Sequence, residues 1–433
     1  MAVSSESPQE RIGVMLVGLG ALASTLVAGV EAIVRGKARP IGSLTQLYRC
    51  NGDANNALLN EVLPMARLQN LEFAAWDIFP DSAYQSAVKA AVLKPDILES
   101  LRSRLEELKP FKAVVDDKNS RLLTGRHVKS GTRLEQSQEL EREILAFKEA
   151  RGLKRMVLVL CNSTEITQLM GEEAESIQNF ENGLKNNIDT ISASMIYAYV
   201  AIKLGMPVIN CTPSQCLEVP ALARFAEEKG VPVSGKDLKT GQTLLKTILA
   251  PGIKARYLGL TGWYSTNILG NRDGEVLDDP DASKTKINSK LSVLESILEP
   301  ERHPELYRGF YHKVKIDYYP PRGDNKEAWD NVDIFGWMDY PMQIKVNFLC
   351  RDSILAAPLV LDLVLLIDLA ARTGWKGVQN WLGFFFKSPL QSHQTKPIHD
   401  LFQQHGKLEE ALKLLRKASP PATPKRVAVA ASH

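Results

Sequence analysis

At 433 residues with 44% apolar composition, the chain can bury a sizeable core and exceeds the usual length of one compact domain, so two domains are expected. Its 53 basic and 50 acidic side chains leave a formal charge of +3, which is too balanced for a protein whose main task is to neutralise a phosphate backbone. The composition therefore argues against nucleic acid as a partner.

The N-terminus and the cysteines indicate where the protein resides. The first residues, MAVSSESPQERIG, show no basic segment followed by an apolar run and a small-residue cleavage site, so no secretory signal is visible. The five cysteines are odd in number and scattered, which is typical of reduced thiols in a cytosolic protein. We therefore expect a cytoplasmic location. Neither the cysteines nor the seven histidines show the spacing of metal ligands, and no metal is expected.

Residues 12–34 predict a strand, a glycine turn and a helix. The apolar run Ile12–Val17 is typical of a parallel strand buried on both faces. The next six residues, GLGALA, match G-x-G-x-x-A, in which the first glycine permits a tight turn and the second lets the backbone approach a pyrophosphate. Alanine in the third place still allows close packing of the helix. The motif predicts a dinucleotide site that includes Gly18, Gly20, Ala21, Leu22 and Ala23.

Asp77 is the candidate for the acidic residue that binds a ribose hydroxyl. No acid stands at the usual distance of about twenty residues from the glycine motif. The next strand-like stretch, LEFAAWD, ends at Asp77, where such an acid belongs. A carboxylate that caps the following loop explains Asp77 equally well.

Helices and apolar strands then alternate up to about residue 246. A charged helix across QELEREILAFKEARG, a strand RMVLVLCNSTE, a helix around SASMIYAYVAIKLG and a strand PVINCTPS follow one another. This alternation predicts a doubly wound parallel sheet of the Rossmann type. Because ligands collect at the carboxyl ends of such strands, Ser163, Thr164 and Thr212 are candidate cofactor contacts, with ordinary turn chemistry as the alternative.

The character of the sequence changes at about Thr247. Longer strand-like pieces, HKVKIDYYP and PMQIKVNFLC, are joined by loops rich in Asn, Asp and Gly. We therefore predict an α/β protein in which a dinucleotide-binding domain, residues 11–246, is followed by an inserted α+β domain, residues 247–353. The first domain resumes at 354–418, and the Pro- and Ala-rich tail, 419–433, is expected to be disordered.

The most apolar segment, ILAAPLVLDLVLLIDLA from Ile354, is nearly long enough to span a bilayer. It contains Asp362 and Asp368, each of which would cost roughly 2.5–3.5 kcal/mol near the centre of a helix in lipid. We predict a buried core helix with Asp352 and Ser353 as N-cap candidates and no membrane partner.

Several lysines have unusual neighbours in the sequence. Lys286 and Lys290 lie four residues apart in SKTKINSK, a spacing that places two like charges on one face of a helix at a cost of a few tenths of a kcal/mol. Lys387 follows three phenylalanines, and an apolar setting favours a neutral amine. A surface lysine with a partly buried stem explains any one of them taken alone. Metalloprotease, serine-nucleophile and P-loop motifs do not occur.

The ordered segments together resemble the myo-inositol-1-phosphate synthase family. They are VGLGALASTLVAGV, AWDI, NSTE, KDLKTGQT, LGNRDG, SKTKINSK, PRGDNK, CRDSILAAPLVLDL and FKSPL, and they span nearly the whole chain. The resemblance implies NAD as cofactor and the cyclisation of D-glucose 6-phosphate to 1D-myo-inositol 3-phosphate by internal oxidation at C5, enolisation, aldol closure and reduction. It also implies a catalytic and oligomerisation role for the inserted domain, with a homotetramer formed through strands near Val314–Tyr319 and Ile344–Phe348.

The resemblance assigns residues to the site. Lys286 exchanges the proton of the C5 oxygen, Lys290 and Lys326 hold the phosphate and the C1 oxygen, and Lys387 polarises the aldehyde and enolate. Such ammonium groups stabilise the phosphate, alkoxide and enolate that share one pocket. Asp237 orients a lysine, and Asn267 contacts the substrate. The remaining cofactor contacts implied are Thr240, Asn271, Asp273, Asp324, Asp352 and Ser353.

The sequence departs from the family pattern in its cofactor loops. The glycine loop is one residue shorter than the eukaryotic type and reads GALAST, and Ser163 stands where asparagine is usual. Pyrophosphate contacts are therefore expected mainly from backbone N–H groups and a helix N-terminus. A related NAD-dependent sugar-phosphate cyclase, a dehydrogenase that releases NADH and a non-catalytic dinucleotide sensor are the alternatives. Retention of all four lysines argues against the sensor.

Overall fold

The computed structural model describes residues 11–50, 56–115, 125–270, 293–392 and 396–419. Its first sheet has seven parallel strands in the order β11-β6-β5-β4-β1-β2-β3. The strands are β1 (Ile12–Val17), β2 (Leu71–Asp77), β3 (Phe111–Lys112), β4 (Arg155–Leu160), β5 (Val208–Asn210), β6 (Pro232–Gly235) and β11 (Gly377–Val378).

The strand β1 lies inside the sheet, and its six residues are all buried, as its apolar sequence predicts. It pairs with β2 on one side and with β4 on the other. The chain runs outward from β1 to β2 and β3 and then crosses back to begin β4. The strand order therefore reverses between β1 and β4, and ligands of open α/β sheets bind at the carboxyl ends beside such a reversal.

Helices cover both faces of this sheet, which confirms the predicted doubly wound arrangement. On one face α1 and α5 pack with the long helix Asp352–Arg372, and on the other α6, α8 and α9 form a second core. In chain order the helices are α1 (Ala21–Val34), α2 (Leu44–Leu47), α3 (Leu59–Val62), α4 (Ala83–Ala90), α5 (Pro95–Glu107), α6 (Arg133–Ala150), α7 (Ile177–Lys185), α8 (Ala193–Lys203), α9 (Pro220–Glu228) and α10 (Gly241–Ala255), followed by residues 293–298, Pro304–Tyr307, Asp352–Arg372 and Leu401–Ala418.

A second, mixed sheet of four strands follows in the order β10-β9-β7-β8. Its strands are β7 (Gly259–Leu269), β8 (Tyr311–Tyr318), β9 (Asn325–Phe335) and β10 (Pro341–Arg351). One face packs against α10 and residues 293–298 around the buried Trp263. The sheet lies within the predicted inserted domain, whereas α10 crosses its predicted start at residue 247. The exact domain boundaries stay predictions, and residues 420–433 of the tail lie outside the described residues.

The helix Asp352–Arg372 is long and apolar enough to cross a membrane, and 72% of its most apolar stretch is buried inside the protein. Asp362 accepts hydrogen bonds from the Ser43 hydroxyl and the Leu44 N–H, both at 2.6 Å, and so caps α2. Asp368 pairs with Arg155 and Arg372, each at 3.1 Å. Both acids are therefore satisfied within the core that the sequence predicts.

The start of this helix differs from the sequence expectation. Its N-cap is Arg351 rather than Asp352 or Ser353, because β10 continues directly into the helix without a loop. Asp352 thus lies in the first turn of the helix, where a carboxylate interacts favourably with the helix dipole.

Candidate functional site

The glycine loop between β1 and α1 is shaped for close backbone contact. Gly18 has φ +93°, and a Cβ there would lie 3.0 Å from the Asn162 Cα and the Cys161 carbonyl oxygen, so only glycine fits. A Cβ at Gly20 would meet no atom within 4 Å. Gly20 is also the N-cap of α1 and provides no side chain to the helix. The first N–H groups of α1 are therefore available to an anion.

A cleft of about 500 Å³ opens in front of this loop at the carboxyl ends of β1, β2 and β4. Of the predicted cofactor residues, those that line it are Gly18, Gly20, Ala21, Asp77, Ser163 and Asp324. Leu22, Ala23 and Thr164 are not part of its lining. Ala23 is buried in the core, where a small side chain allows α1 to pack closely on the sheet.

Asp77 fastens the glycine loop to the end of β2. Its Oδ2 accepts the Leu19 N–H at 2.6 Å, and its Oδ1 accepts the Phe79 N–H at 2.9 Å. These bonds show the loop-capping role that the sequence left open. Asp77 also lines the cleft. Its contact with a ribose stays a prediction. Beside it, burial raises the pKa of the Cys161 thiol to about 12, and this protonated thiol donates to the Gly18 carbonyl at 3.3 Å.

Thr212 is buried behind the site rather than in the cleft. Its N–H and hydroxyl both donate to Asn210 Oδ1, at 2.9 and 2.8 Å. Its carbonyl accepts the Asp237 N–H at 3.0 Å. Thr212 therefore supports the segment that carries Asp237.

Lys387 and Asp237 form an ion pair of 3.0 Å in which both side chains are largely buried, at 14% and 13% exposure. The Lys387 N–H also donates to the Asp237 carbonyl at 2.6 Å. Phe385 and Phe386 point into the core. The fold thus gives Lys387 a carboxylate partner that the neighbouring phenylalanines do not reveal, and the sequence expectation of a neutral amine stays a prediction.

Lys326 lies beside a second carboxylate. Its Nζ is 3.5 Å from Asp352 Oδ2, and Asp352 Oδ1 accepts the Thr240 hydroxyl at 2.7 Å. A Cβ on Gly241 would lie 3.5 Å from Lys326 Cδ, so the lysine stem passes the N-terminus of α10. Since Thr240 and Gly241 follow Asp237 closely in the chain, both lysine and carboxylate pairs meet at one segment.

Asp324 connects this segment with the cofactor cleft. It lines the cleft, and its Oδ1 accepts the Ser353 hydroxyl at 2.8 Å. Its Oδ2 is buried and has no hydrogen-bond donor among the described residues. Burial raises the pKa of Asp324. The structure thus links the Lys326 and Asp352 pair to the cleft through Ser353 and Asp324, while Lys286, Lys290, Asn271 and Asp273 lie outside the described residues.

Asn267 lies deeper, on the face of the second sheet that α10 covers. It is fully buried, and its Nδ2 donates to Gln242 Oε1 at 2.5 Å. Gln242 was missed at the level of sequence, together with Asp330, to which Gln242 donates at 3.0 Å. Polar residues on the buried face of an amphipathic helix are the signal that was available for Gln242.

Two further lysines were also missed from the sequence. Lys246 is fully buried on α10 with its Nζ 2.6 Å from His312 Nε2, and burial lowers its pKa to about 7. Lys239 is hydrogen-bonded to Gln404, and burial lowers its pKa to about 7 as well. The signal for Lys246 is helical spacing, since Thr243, Lys246 and Ala250 share the buried side of α10.

The fold and the site define an α/β dinucleotide-binding protein with a second sheet, in which a glycine-lined cleft is linked through Asp324 and Ser353 to the Lys326 and Asp352 pair. The model of the myo-inositol-1-phosphate synthase family, an NAD-binding family, matches residues 12–413. The chain belongs to the myo-inositol-1-phosphate synthase family, and NAD is confirmed as its cofactor.

Named relatives agree with this assignment. The chain is 51% identical to inositol-3-phosphate synthase 1 of Bacteroides thetaiotaomicron over 93% of this chain and 95% of that one. It is 30% identical to inositol-3-phosphate synthase isozyme 1 of Arabidopsis thaliana over 93% of this chain and 85% of that one. The crystal structure of inositol-3-phosphate synthase from Caenorhabditis elegans superposes with a TM-score of 0.87 at 26% identity, over 96% of this chain and 87% of that one.

Proposed function

We propose that this protein converts D-glucose 6-phosphate into 1D-myo-inositol 3-phosphate with NAD as cofactor. The observation that carries the proposal is the meeting of the Lys326 and Lys387 ion pairs at the segment Asp237–Gly241. Asp352, Ser353 and Asp324 connect this segment with a cleft that has a dinucleotide loop. A sensor needs the cleft alone, whereas proton transfer and charge stabilisation need the lysines.

The cleft residues fit NAD. The uncapped N-terminus of α1 and the bare backbone at Gly20 suit a pyrophosphate, and Asp324 Oδ2 offers a buried acceptor for an N–H of the nicotinamide end. Bound NAD⁺ would supply the hydride acceptor for oxidation at C5 of the sugar, and the NADH so formed would supply the hydride for the later reduction. Asp352 and Ser353 hold Asp324 and Lys326 in place around that end.

The lysines act on the substrate in this proposal. Lys326 and the N-terminus of α10 hold the phosphate, because Thr240 gives its hydroxyl to Asp352 and leaves the helix end without a side-chain cap. Lys387, oriented by Asp237, polarises the C1 aldehyde and stabilises the enolate. By resemblance Lys286 exchanges the C5 hydroxyl proton, and Lys290 assists Lys326 at the phosphate.

We also propose a homotetramer formed through the second sheet. Its edge strands, β8 and β10, contain the stretches that the sequence predicts for the interface except Tyr319, which directly follows β8. The sheet face opposite α10 exposes Tyr264, Trp329 and Leu349. A sheet with apolar side chains on its free face and with two edges that no described strand pairs with favours self-association. A cytoplasmic location, with neither nucleic acid nor membrane as partner, completes the proposal and rests on the sequence expectation.

Product analysis tests the proposed reaction. The purified protein, incubated with NAD⁺ and glucose 6-phosphate and then with phosphatase, is expected to yield free inositol. Turnover of a different sugar phosphate alone would indicate a related cyclase, and accumulation of NADH would indicate a dehydrogenase. Binding of NAD without any turnover would indicate a sensor.

A further inference from the structure

A buried carboxylate on the second sheet collects three hydrogen bonds. Asp330, on β9 and 2% exposed, accepts the Trp263 indole N–H at 2.7 Å and the Ser265 hydroxyl at 2.6 Å on Oδ1. Its Oδ2 accepts the Gln242 side-chain amide at 3.0 Å. Both Asp330 oxygens therefore act as acceptors in these three hydrogen bonds.

This acceptor fixes the orientation of two amides in turn. Gln242 must direct its NH₂ group to Asp330, so its Oε1 faces Asn267. Asn267 must then direct its NH₂ group to Gln242, and the contact of 2.5 Å shows this bond. The carbonyl oxygen of Asn267 is therefore forced to point away from Gln242. Both orientations follow from which groups can donate, so they are independent of how oxygen and nitrogen are assigned in either amide.

The Asn267 carbonyl oxygen has no donor among the described residues, although the side chain is fully buried. A buried acceptor of this kind carries a desolvation penalty that a ligand donor would remove. Asn267 opposes Ala328 across the β7 and β9 pairing, and Leu269 opposes Lys326. Asn267 and Lys326 are thus diagonal neighbours on the same sheet face, within reach of one substrate.

We propose that Asp330 is a positioning residue that acts through Gln242 to hold the Asn267 carbonyl oxygen toward the substrate. The Asn267 position then accepts a hydrogen bond from a hydroxyl of the sugar and disfavours the phosphate, which has only acceptor oxygens at neutral pH. The phosphate is left to the Lys326 ammonium and the α10 N-terminus. The chain of amides therefore sets the direction in which the sugar phosphate lies. This inference rests on the proposed function.

An exchange of carboxylate and amide tests the inference. In Asp330→Asn, the new Oδ1 keeps the Trp263 and Ser265 bonds, and the new NH₂ donates to Gln242. The side-chain amides of Gln242 and Asn267 then reverse their orientation, and Asn267 presents a donor to the substrate. In Asn267→Asp alone, Gln242 stands between two carboxylates and can donate well to only one. Each single variant is expected to raise KM for glucose 6-phosphate about tenfold, as a lost buried hydrogen bond does, with a smaller effect on kcat.

The double variant Asp330→Asn/Asn267→Asp should recover most of the wild-type KM. The reversed Gln242 donates to the carboxylate introduced at position 267, whose second oxygen is again an acceptor, and the total charge is that of the wild type. If Asp330 had a merely structural role, the effects of the two core substitutions on KM should add. Asp96→Asn, the same change at an exposed position on α5, serves as the control and should leave KM unchanged.

The outcome distinguishes a failure of this inference from a failure of the proposed function. An unchanged KM in Asp330→Asn, or a double variant that is no better than the single variants, would overturn the inference. Thermal unfolding verifies that each variant folds. If Asp330→Asn does not fold, Asn267→Asp still tests the inference. Calorimetric titration of glucose 6-phosphate into protein that holds NADH gives the same ranking without turnover. A wild type that binds the sugar phosphate but makes no inositol phosphate would instead refute the proposed function.

Discussion

Lys387 Nζ lies 3.0 Å from Asp237 Oδ1, although the two residues are 150 positions apart in the chain. Backbone hydrogen bonds on both sides of the pair, from Lys387 N–H to the Asp237 carbonyl and from Lys236 N–H to the Ser388 carbonyl, hold the two segments together. The ammonium is therefore fixed before any substrate arrives. A preorganised charge stabilises a developing anion without a cost of reorganisation during the reaction.

Lys387→Ala should reduce kcat by at least about a hundredfold, because it removes a fixed charge from the developing enolate. NAD affinity should stay near that of the wild type, since Lys387 does not line the cofactor cleft. Steady-state kinetics and a fluorescence titration with NADH measure the two effects. Lys407→Ala, at an exposed ion pair on the C-terminal helix, is the matched control. Activity within about threefold of wild type in Lys387→Ala would remove Lys387 from the mechanism.

Asp77→Ala should weaken NAD binding about tenfold, since the Leu19 and Phe79 N–H groups lose their acceptor and the glycine loop loses its anchor. The dissociation constant of NADH, followed by its fluorescence, provides the measurement. The KM for glucose 6-phosphate at saturating NAD⁺ should change little. An unaltered NADH affinity would show that the loop keeps its shape without Asp77.

Leu349→Lys should yield species smaller than a tetramer, because it places a charge on the exposed face of β10 that the proposed interface would bury. Light scattering coupled to size-exclusion chromatography gives the mass of each species directly. Leu169→Lys, at an exposed leucine outside the second sheet, should leave the assembly intact. A wild-type protein that is monomeric, or a tetramer that tolerates Leu349→Lys, would refute this interface.

Lys246 makes the free energy of unfolding depend on pH, and the sign of this dependence follows from the direction of its pKa shift. Burial lowers its pKa from 10.5 to about 7, so between these pH values the unfolded chain binds a proton that the folded protein lacks. Lys246 therefore adds stability as pH rises, by up to about 1.4 kcal/mol per pH unit. Lys246→Met, similar in length and uncharged, should flatten the slope of unfolding free energy against pH between about pH 7 and the ordinary lysine pKa of 10.5. Parallel slopes for wild type and variant would show that Lys246 stays charged when folded.

The sequence predicts the parallel sheet well because its signals are local. The apolar run of β1, the glycine turn and the acid at the end of β2 each depend on a few adjacent residues. The start of the helix at Asp352 is less predictable, because a strand that continues into a helix leaves no loop residue to mark the boundary.

The candidate site is only partly readable from the sequence for the same reason. Lys326 and Lys387 stand out through their neighbours, but the carboxylates that pair with them come from distant segments. The phenylalanines before Lys387 therefore predict a neutral amine, and only the fold places Asp237 beside it. Asp330 and Gln242 carry no motif, and only the packing of α10 on the second sheet brings them together.

The most direct test of the central claim uses glucose 6-phosphate that carries deuterium at C5. If the enzyme oxidises C5 and later restores the same hydride, mass spectrometry should find the deuterium retained in inositol phosphate, turnover should be slower than with the unlabelled substrate, and reduced nicotinamide should not accumulate. Deuterium that leaves the sugar and appears in accumulated NADH would contradict a closed redox cycle.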